Sequence, residues 1–160
     1  MRDLKRSQFD MILAVLSTLT VVLLDRATKY FFMNVLSLGE SFPVIRNVFH
    51  MTLVHNTGIA FGFFKEHGSV FIIIPIIATI LLVFNIFYYK HNDEALSRSY
   101  ILGFSLILGG AVGNLIDRIR FGYVIDFIDF RVWPVFNIAD SAITIGAVII
   151  AWKCFQVKQN

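Results

Sequence analysis

The 160-residue chain has one cysteine, Cys154, so no internal disulfide can hold it together. Cys154 follows the last apolar run and reads as a reduced cytoplasmic thiol or a filler residue; support for a lipid anchor there is weak. Charge is also scarce, at 16% of residues against 57% hydrophobic. An average soluble domain is roughly a quarter charged, so this chain cannot keep a polar surface in water. GxSxG is absent, and so is a glycine-rich phosphate loop before GK[ST], which argues against serine-hydrolase and nucleotide chemistry. His50, His55 and His67 fall in one stretch, but their spacing matches neither HExxH nor a Cys/His finger. No metal or other cofactor is expected, and His50 and His55 read as surface residues of a hairpin. The net charge of +3 comes from Lys and Arg in short clusters between apolar runs, as membrane topology requires, so no nucleic-acid partner is expected. Repeats and low-complexity tracts are absent.

What the chain does have is apolar runs. A helix needs about 20 apolar residues to span the hydrocarbon core. Gly68 to Tyr89 is uncharged, and its Pro75 is tolerable in a membrane helix. Ser99 to Ile116 is shorter and glycine-rich, and its Gly109 and Gly113 let another helix approach closely. Met11 to Leu24 covers only about 21 Å, so that helix must continue through Asp25, Arg26 and Lys29, which then lie near one membrane face. MRDLKR before this run resembles the start of a signal peptide, but no small-x-small cleavage pattern follows, so the helix is read as retained. The fourth run is Val132 to Trp152.

The expected fold is an all-α membrane protein, a four-transmembrane-helix bundle forming a single domain over 1–160. The spans fall at about 9–31, 68–89, 99–117 and 133–153. A small extracytoplasmic β hairpin or sheet is expected after the first helix, in an outer loop at about 32–67, with Asn56-Thr57-Gly58 as a turn. Residues 117–131 read as a second outer loop. Lys and Arg divide seven to seven between the two sides, but the inner segments are shorter. Arg2, Lys5 and Arg6 precede the first helix, which favours both termini cytoplasmic.

Asp140 is the only charged residue between Val132 and Trp152. An aspartate at the centre of a membrane helix costs about 2.5–3.5 kcal/mol, and an intramembrane acid is by default a functional hypothesis. It lies about 18 Å above the cytoplasmic end of its helix, in the outer half of the bilayer. Asn137, Ser141, Thr144, Ala147 and Ala151 recur with it at helical steps and should face other helices, leaving Ile143, Ile145, Val148, Ile149 and Ile150 to lipid. Gly110, Gly113, Asn114 and Asp117 form a similar face on the third span. Three acids could approach Asp140. Asp117 beside Arg118 reads more simply as a helix-end charge pair, and Asp129 near Arg131 as a solvated loop acid. Asp126, between Ile125 and Phe127, is less easily dismissed. Two carboxylates sharing a site cannot both ionise easily, so such a pair can activate a water and polarise a carbonyl.

Five motifs stand in one order: DRATK at 25–29, NTGIAFG at 56–62, GNLIDR at 113–118, VIDF at 124–127 and FNIADS at 136–141. Together they resemble lipoprotein signal peptidase, the bacterial signal peptidase II family. The resemblance covers nearly the whole chain. It implies an aspartic endopeptidase of the bacterial cytoplasmic (inner) membrane, multi-pass, with its active site on the extracytoplasmic side. Such enzymes cut diacylglyceryl-modified prolipoprotein substrates before the lipidated cysteine, among membrane lipid, and are inhibited by globomycin. It also implies a catalytic pair at Asp126 and Asp140, with Asp25, Lys29, Asn56, Gly110, Asn114, Arg118 and Asn137 supporting the site or contacting substrate. Arg26 stands where the family often has Gln, and Ile59 where Ala is frequent. NTGIAFG is expected to act partly as a lid, and Phe49, Phe61, Phe63 and Phe64 to clamp lipid or signal helix or anchor at the interface. Rival readings are a small transporter or proton-pathway subunit, a metal-dependent phospholipid enzyme, and a structural subunit. The inner halves of the helices hold almost no polar groups, which argues against a through-path.

Overall fold

A computed structural model describes residues 2–58, 80 and 97–157. Apart from Ile80, the expected span at 68–89 lies outside the described residues, as do 59–62 of the proposed lid and Phe63, Phe64 and His67. The described residues form three helices and three strands: α1 (Arg2–Val35), β1 (Ser41–Ile45), β2 (Phe49–Asn56), α2 (Arg98–Phe121), β3 (Val124–Asp129) and α3 (Ile138–Val157). Gln8–Val35, Arg98–Phe121 and Ile138–Gln156 are each long and apolar enough to cross a membrane.

Glycine on α2 puts that helix between the other two. A methyl group at Gly109 would stand 2.7 Å from Val21 Cβ, and one at Gly113 2.7 Å from Asp25 Oδ2, both on α1. On the other side, one at Gly110 would run into the Ala139 carbonyl oxygen, and one at Gly103 would stand 2.8 Å from Ile150 Cγ1, both on α3. Without Cβ atoms, backbones meet where side chains would otherwise hold them apart. The expected lipid face of α3 needs correction here. Ala139, Ile143, Gly146 and Ile150 are what pack on α2, whereas Thr144, Ala147 and Ala151 are exposed. Thr144 satisfies its hydroxyl on its own helix, at the Asp140 carbonyl, 2.8 Å away.

A hairpin forms from β1 and β2, with Ser41 opposite Thr52, but it turns at Asn47, φ 63°, and not at Asn56-Thr57-Gly58, which comes where β2 ends. The stretch 117–131, however, is not a loop. α2 runs on to Phe121 and ends at Gly122, whose φ of 78° allows its N–H to close on the Arg118 carbonyl. The chain then enters β3, which joins β2 antiparallel with Val54 opposite Asp126. Five of the six residues in VIDFID are buried, so the strand lacks the polar–apolar alternation that marks a half-exposed one. Phe127 stacks on Phe32 of α1 with centroids 4.4 Å apart, which fastens the sheet to the bundle.

The helix bounds also shift. α1 extends beyond the expected 9–31 at both ends, so Asp25 and Lys29 lie inside a helix wall and not at its end. The last helix begins at Ile138, not 133. Phe136 is instead bonded to β3, accepting from Phe127 N at 3.0 Å and Ile128 N at 2.8 Å, while its own N–H goes to the Ile128 carbonyl. Asp140 therefore stands in the first turn of α3 and not in a helix interior.

Candidate active site

The wall of the site is a buried charge cluster. Asp25, Asp117 and Lys29 are almost fully shielded from solvent. The Lys29 ammonium has three N–H groups and three acceptors: Asp25 Oδ2 at 3.0 Å, Asp117 Oδ2 at 2.7 Å and Asn114 Oδ1 at 3.1 Å. Half-buried Arg26 reaches the same two carboxylates, through Nη2 to Asp25 at 2.8 Å and Nη1 to Asp117 at 2.7 Å. Two cations thus face two anions, which buried charge requires. The remaining carboxylate oxygens hold backbone: Asp25 Oδ1 accepts from Ala139 N at 3.2 Å, and Asp117 Oδ2 also accepts from Ile125 N at 3.1 Å. Asp117 is therefore not the Arg118 partner that sequence neighbours suggest. Its helix turns it inward, onto α1 and the start of β3.

Above the cluster lie Asp126, from β3, and Asp140, from α3. Asn137 precedes α3 and forms a reciprocal cap with Asp140. Its Oδ1 accepts from Asp140 N at 2.9 Å, and its own N–H points to Asp140 Oδ2 at 3.4 Å. The Asn137 side-chain N–H₂ donates to Asp126 Oδ1 at 2.7 Å, so one residue touches both acids. Asn114 donates to Asp140 Oδ1 at 2.7 Å while its oxygen accepts from Lys29 and Asn137. Asn56 donates to Asp126 Oδ2 at 2.8 Å; its oxygen is taken by Gly58 N, which fixes the amide's orientation. Among the described residues no cation is bonded to Asp126. Burial pushes its pKa up to about 7, with the Asp140 charge adding to the rise and the Asn56 and Asn137 hydrogen bonds and the Lys29 charge opposing it.

All nine residues expected at the site meet in this region. Gly110 makes room for the Ala139 backbone, and Arg118 interacts electrostatically with Asp140, Asp126 and Asp117. Asp129 is elsewhere. It is buried in the sheet rather than solvated in a loop, because β3 carries it under Thr52 and Arg131. Thr52 Oγ1 donates to it at 2.7 Å, Arg131 N at 2.8 Å and Arg131 Nη1 at 3.0 Å. Burial works against its charge, but these donors outweigh it and hold the pKa below the ordinary value. His50 lies against Ser41, and His55 stacks on Tyr123 at 3.9 Å, both half-buried rather than on an open surface. Phe49 stacks on Phe130 at 5.0 Å. Among the described residues no cluster of His, Cys, Asp and Glu suits a metal ion. No role for Arg26 is legible in the amino-acid sequence. Its one signal was its place between Asp25 and Lys29 on a helix too short to span without them.

A family model described as signal peptidase (SPase) II matches residues 17–156. The chain belongs to the signal peptidase II family. It is thus an aspartic peptidase and a bacterial membrane protein. The lipoprotein signal peptidase of Halothermothrix orenii is 45% identical over 141 residues, 88% of this chain and 94% of its own length. That of Moorella thermoacetica is 44% identical over 139 residues, 87% of this chain and 90% of its own. Two solved structures described as bacterial membrane enzymes resemble this signal peptidase II chain with a TM-score of 0.78 and 36% identity. One covers 89% of this chain and 87% of the other, the second 88% and 91%.

Proposed function

We propose that this member removes the signal peptide from diacylglyceryl-modified prolipoproteins, cutting before the lipidated cysteine, with Asp126 and Asp140 as its catalytic dyad. The observation that carries this is the double hold of Asn137, which donates to Asp126 and accepts from Asp140 N. Asp126, its pKa pushed up to about 7, is the member that holds a proton below that pH. Asp140, at the amino end of α3 and beside Arg118, is the carboxylate that acts as base.

A water between them gives a proton to Asp140 as its oxygen bonds to the scissile carbonyl carbon. Asp126 donates its proton to the carbonyl oxygen, giving a neutral tetrahedral diol. Return of a hydroxyl proton to Asp126 re-forms the carbonyl. The C–N bond breaks as Asp140 delivers its proton to the leaving amine. The products are a free carboxyl on the signal peptide and an amino group on the lipidated cysteine. No metal enters these steps.

Acyl chains on that cysteine stay in the bilayer, which brings the scissile bond to the outer interface. Arg2, Lys5 and Arg6 place both termini in the cytoplasm by the positive-inside rule, and the dyad then faces the extracytoplasmic side. Asn56, the first residue of NTGIAFG, lies on the Asp126 side of the dyad. The test is cleavage of a diacylglyceryl-modified prolipoprotein by purified Asp126→Asn and Asp140→Asn, with globomycin as control. Neither variant should turn over. Turnover by either removes the dyad, and turnover by the parent of an unlipidated precursor at the same rate removes the substrate assignment.

A further inference from the structure

We infer that Arg26 is a positioning residue that, together with Lys29, sets the separation of the two backbone segments carrying Asp126 and Asp140; this rests on the dyad proposed above. Asp25 grips the N–H of Ala139, next to Asp140, and Asp117 grips the N–H of Ile125, next to Asp126. The two acids that steer the dyad segments are themselves tied together, and Arg26 is half of the tie. Its guanidinium spans them with one terminal nitrogen on each, at 2.8 and 2.7 Å, and Nη2 also donates to the Gly113 carbonyl at 3.2 Å. A planar fork of fixed width holds two carboxylates at a set distance, which a flexible ammonium does not.

Charge gives Arg26 a second effect. With Arg26 the cluster is balanced, two cations against two carboxylates. Without it one net negative charge remains next to the dyad. The groups facing Asp126 are Asn56 on β2, Asn137 and Asp140 at α3, Lys29 on α1 and Arg118 on α2. Those facing Asp140 are Asn114, Arg118, Asn137 and Asp126. Arg26 contacts neither acid, so it acts through Asp25 and Asp117.

The experiment is the pH profile of kcat and KM for the full-length enzyme on a diacylglyceryl-modified prolipoprotein, comparing the parent with Arg26→Gln and Arg26→Lys. Arg26→Gln should lower kcat by roughly ten- to a hundred-fold with KM little changed. It should also move the acid limb to higher pH by about half a unit or more, because the unbalanced negative charge favours protonation of the base. Arg26→Lys restores the charge and should return the limb to its parental place, with kcat in between. If Arg26→Gln fails to accumulate, Arg26→Gln with Asp117→Asn restores the balance and keeps an oxygen for Ile125 N. That pair should show a parental acid limb with kcat still reduced. Parental kcat in that pair, or Arg26→Gln with a parental profile and only lower thermal stability, would show an ordinary structural ion pair and overturn the inference. Asp126→Asn and Asp140→Asn run alongside: if both are inactive while Arg26→Gln is parental, only the role of Arg26 fails. If either turns over, the dyad fails first.

Discussion

Two pairs of carboxylates share this bundle, and they differ in what faces them. Asp25 and Asp117 are matched by Arg26 and Lys29, with each charge balanced at contact distance. Asp126 and Asp140 are held by asparagine amides and a backbone N–H, and among the described residues no cation is bonded to either. The first pair is a salt-bridged cluster that ties α1 to α2. The second is held by neutral partners, and in the proposed reading it is the reactive pair while the first is a strut.

The comparison breaks if the pairs respond alike to mutation. The largest effect is expected at the dyad, where Asp126→Asn or Asp140→Asn should abolish measurable turnover, a loss of about 10⁴-fold or more in kcat, with little loss of stability, read by turnover and thermal melting in one detergent preparation. Lys29→Met should do the reverse in kind. It strands two buried carboxylates with Arg26 alone and should cost about 3–5 kcal/mol, seen as a lower unfolding midpoint. Gly110→Ala drives a methyl into the Ala139 backbone and should cost about 1–3 kcal/mol. It should also lower kcat, because Ala139 adjoins Asp140. The pH dependence sharpens the contrast. Asp126 keeps its proton from the ordinary carboxylate range up to about 7. Since the reaction needs that proton, activity should be present below this value and fall about tenfold per unit above it. Activity flat to pH 9 would contradict that assignment. The smallest effect belongs to Asp129→Asn, which loses charge-assisted bonds from Arg131 and Thr52 at about 1 kcal/mol and should leave kcat within roughly two-fold.

The membrane class and the three described helices could be read from apolar run length, and the presence of a hairpin from partial alternation. So could the glycine face of α2, because Gly110, Gly113, Asn114 and Asp117 repeat at helical steps and all are buried. β3 could not. Buried on both faces, VIDFID has no period to detect, and its polar members looked like loop acids. The start of the last helix escapes the sequence for a related reason. An apolar run does not reveal that Phe136 spends its hydrogen bonds on a strand, so the expected start at 133 precedes the observed one at Ile138. Spacing left Asp117, Asp126 and Asp129 all open beside Asp140, with Asp126 the least easily dismissed. Only family resemblance chose Asp126, because the choice depends on where β3 carries each side chain. Arg26 was hidden because nothing local says that its partner Asp117 lies on another helix.

A carboxyl-region infrared titration of the purified enzyme tests the shared proton most directly. One protonated buried carboxyl should be visible at pH 6, should disappear as pH rises through about 7, and should be missing from Asp126→Asn. A spectrum with no such band, or one that persists unchanged in Asp126→Asn, would contradict the assignment of the proton to this dyad.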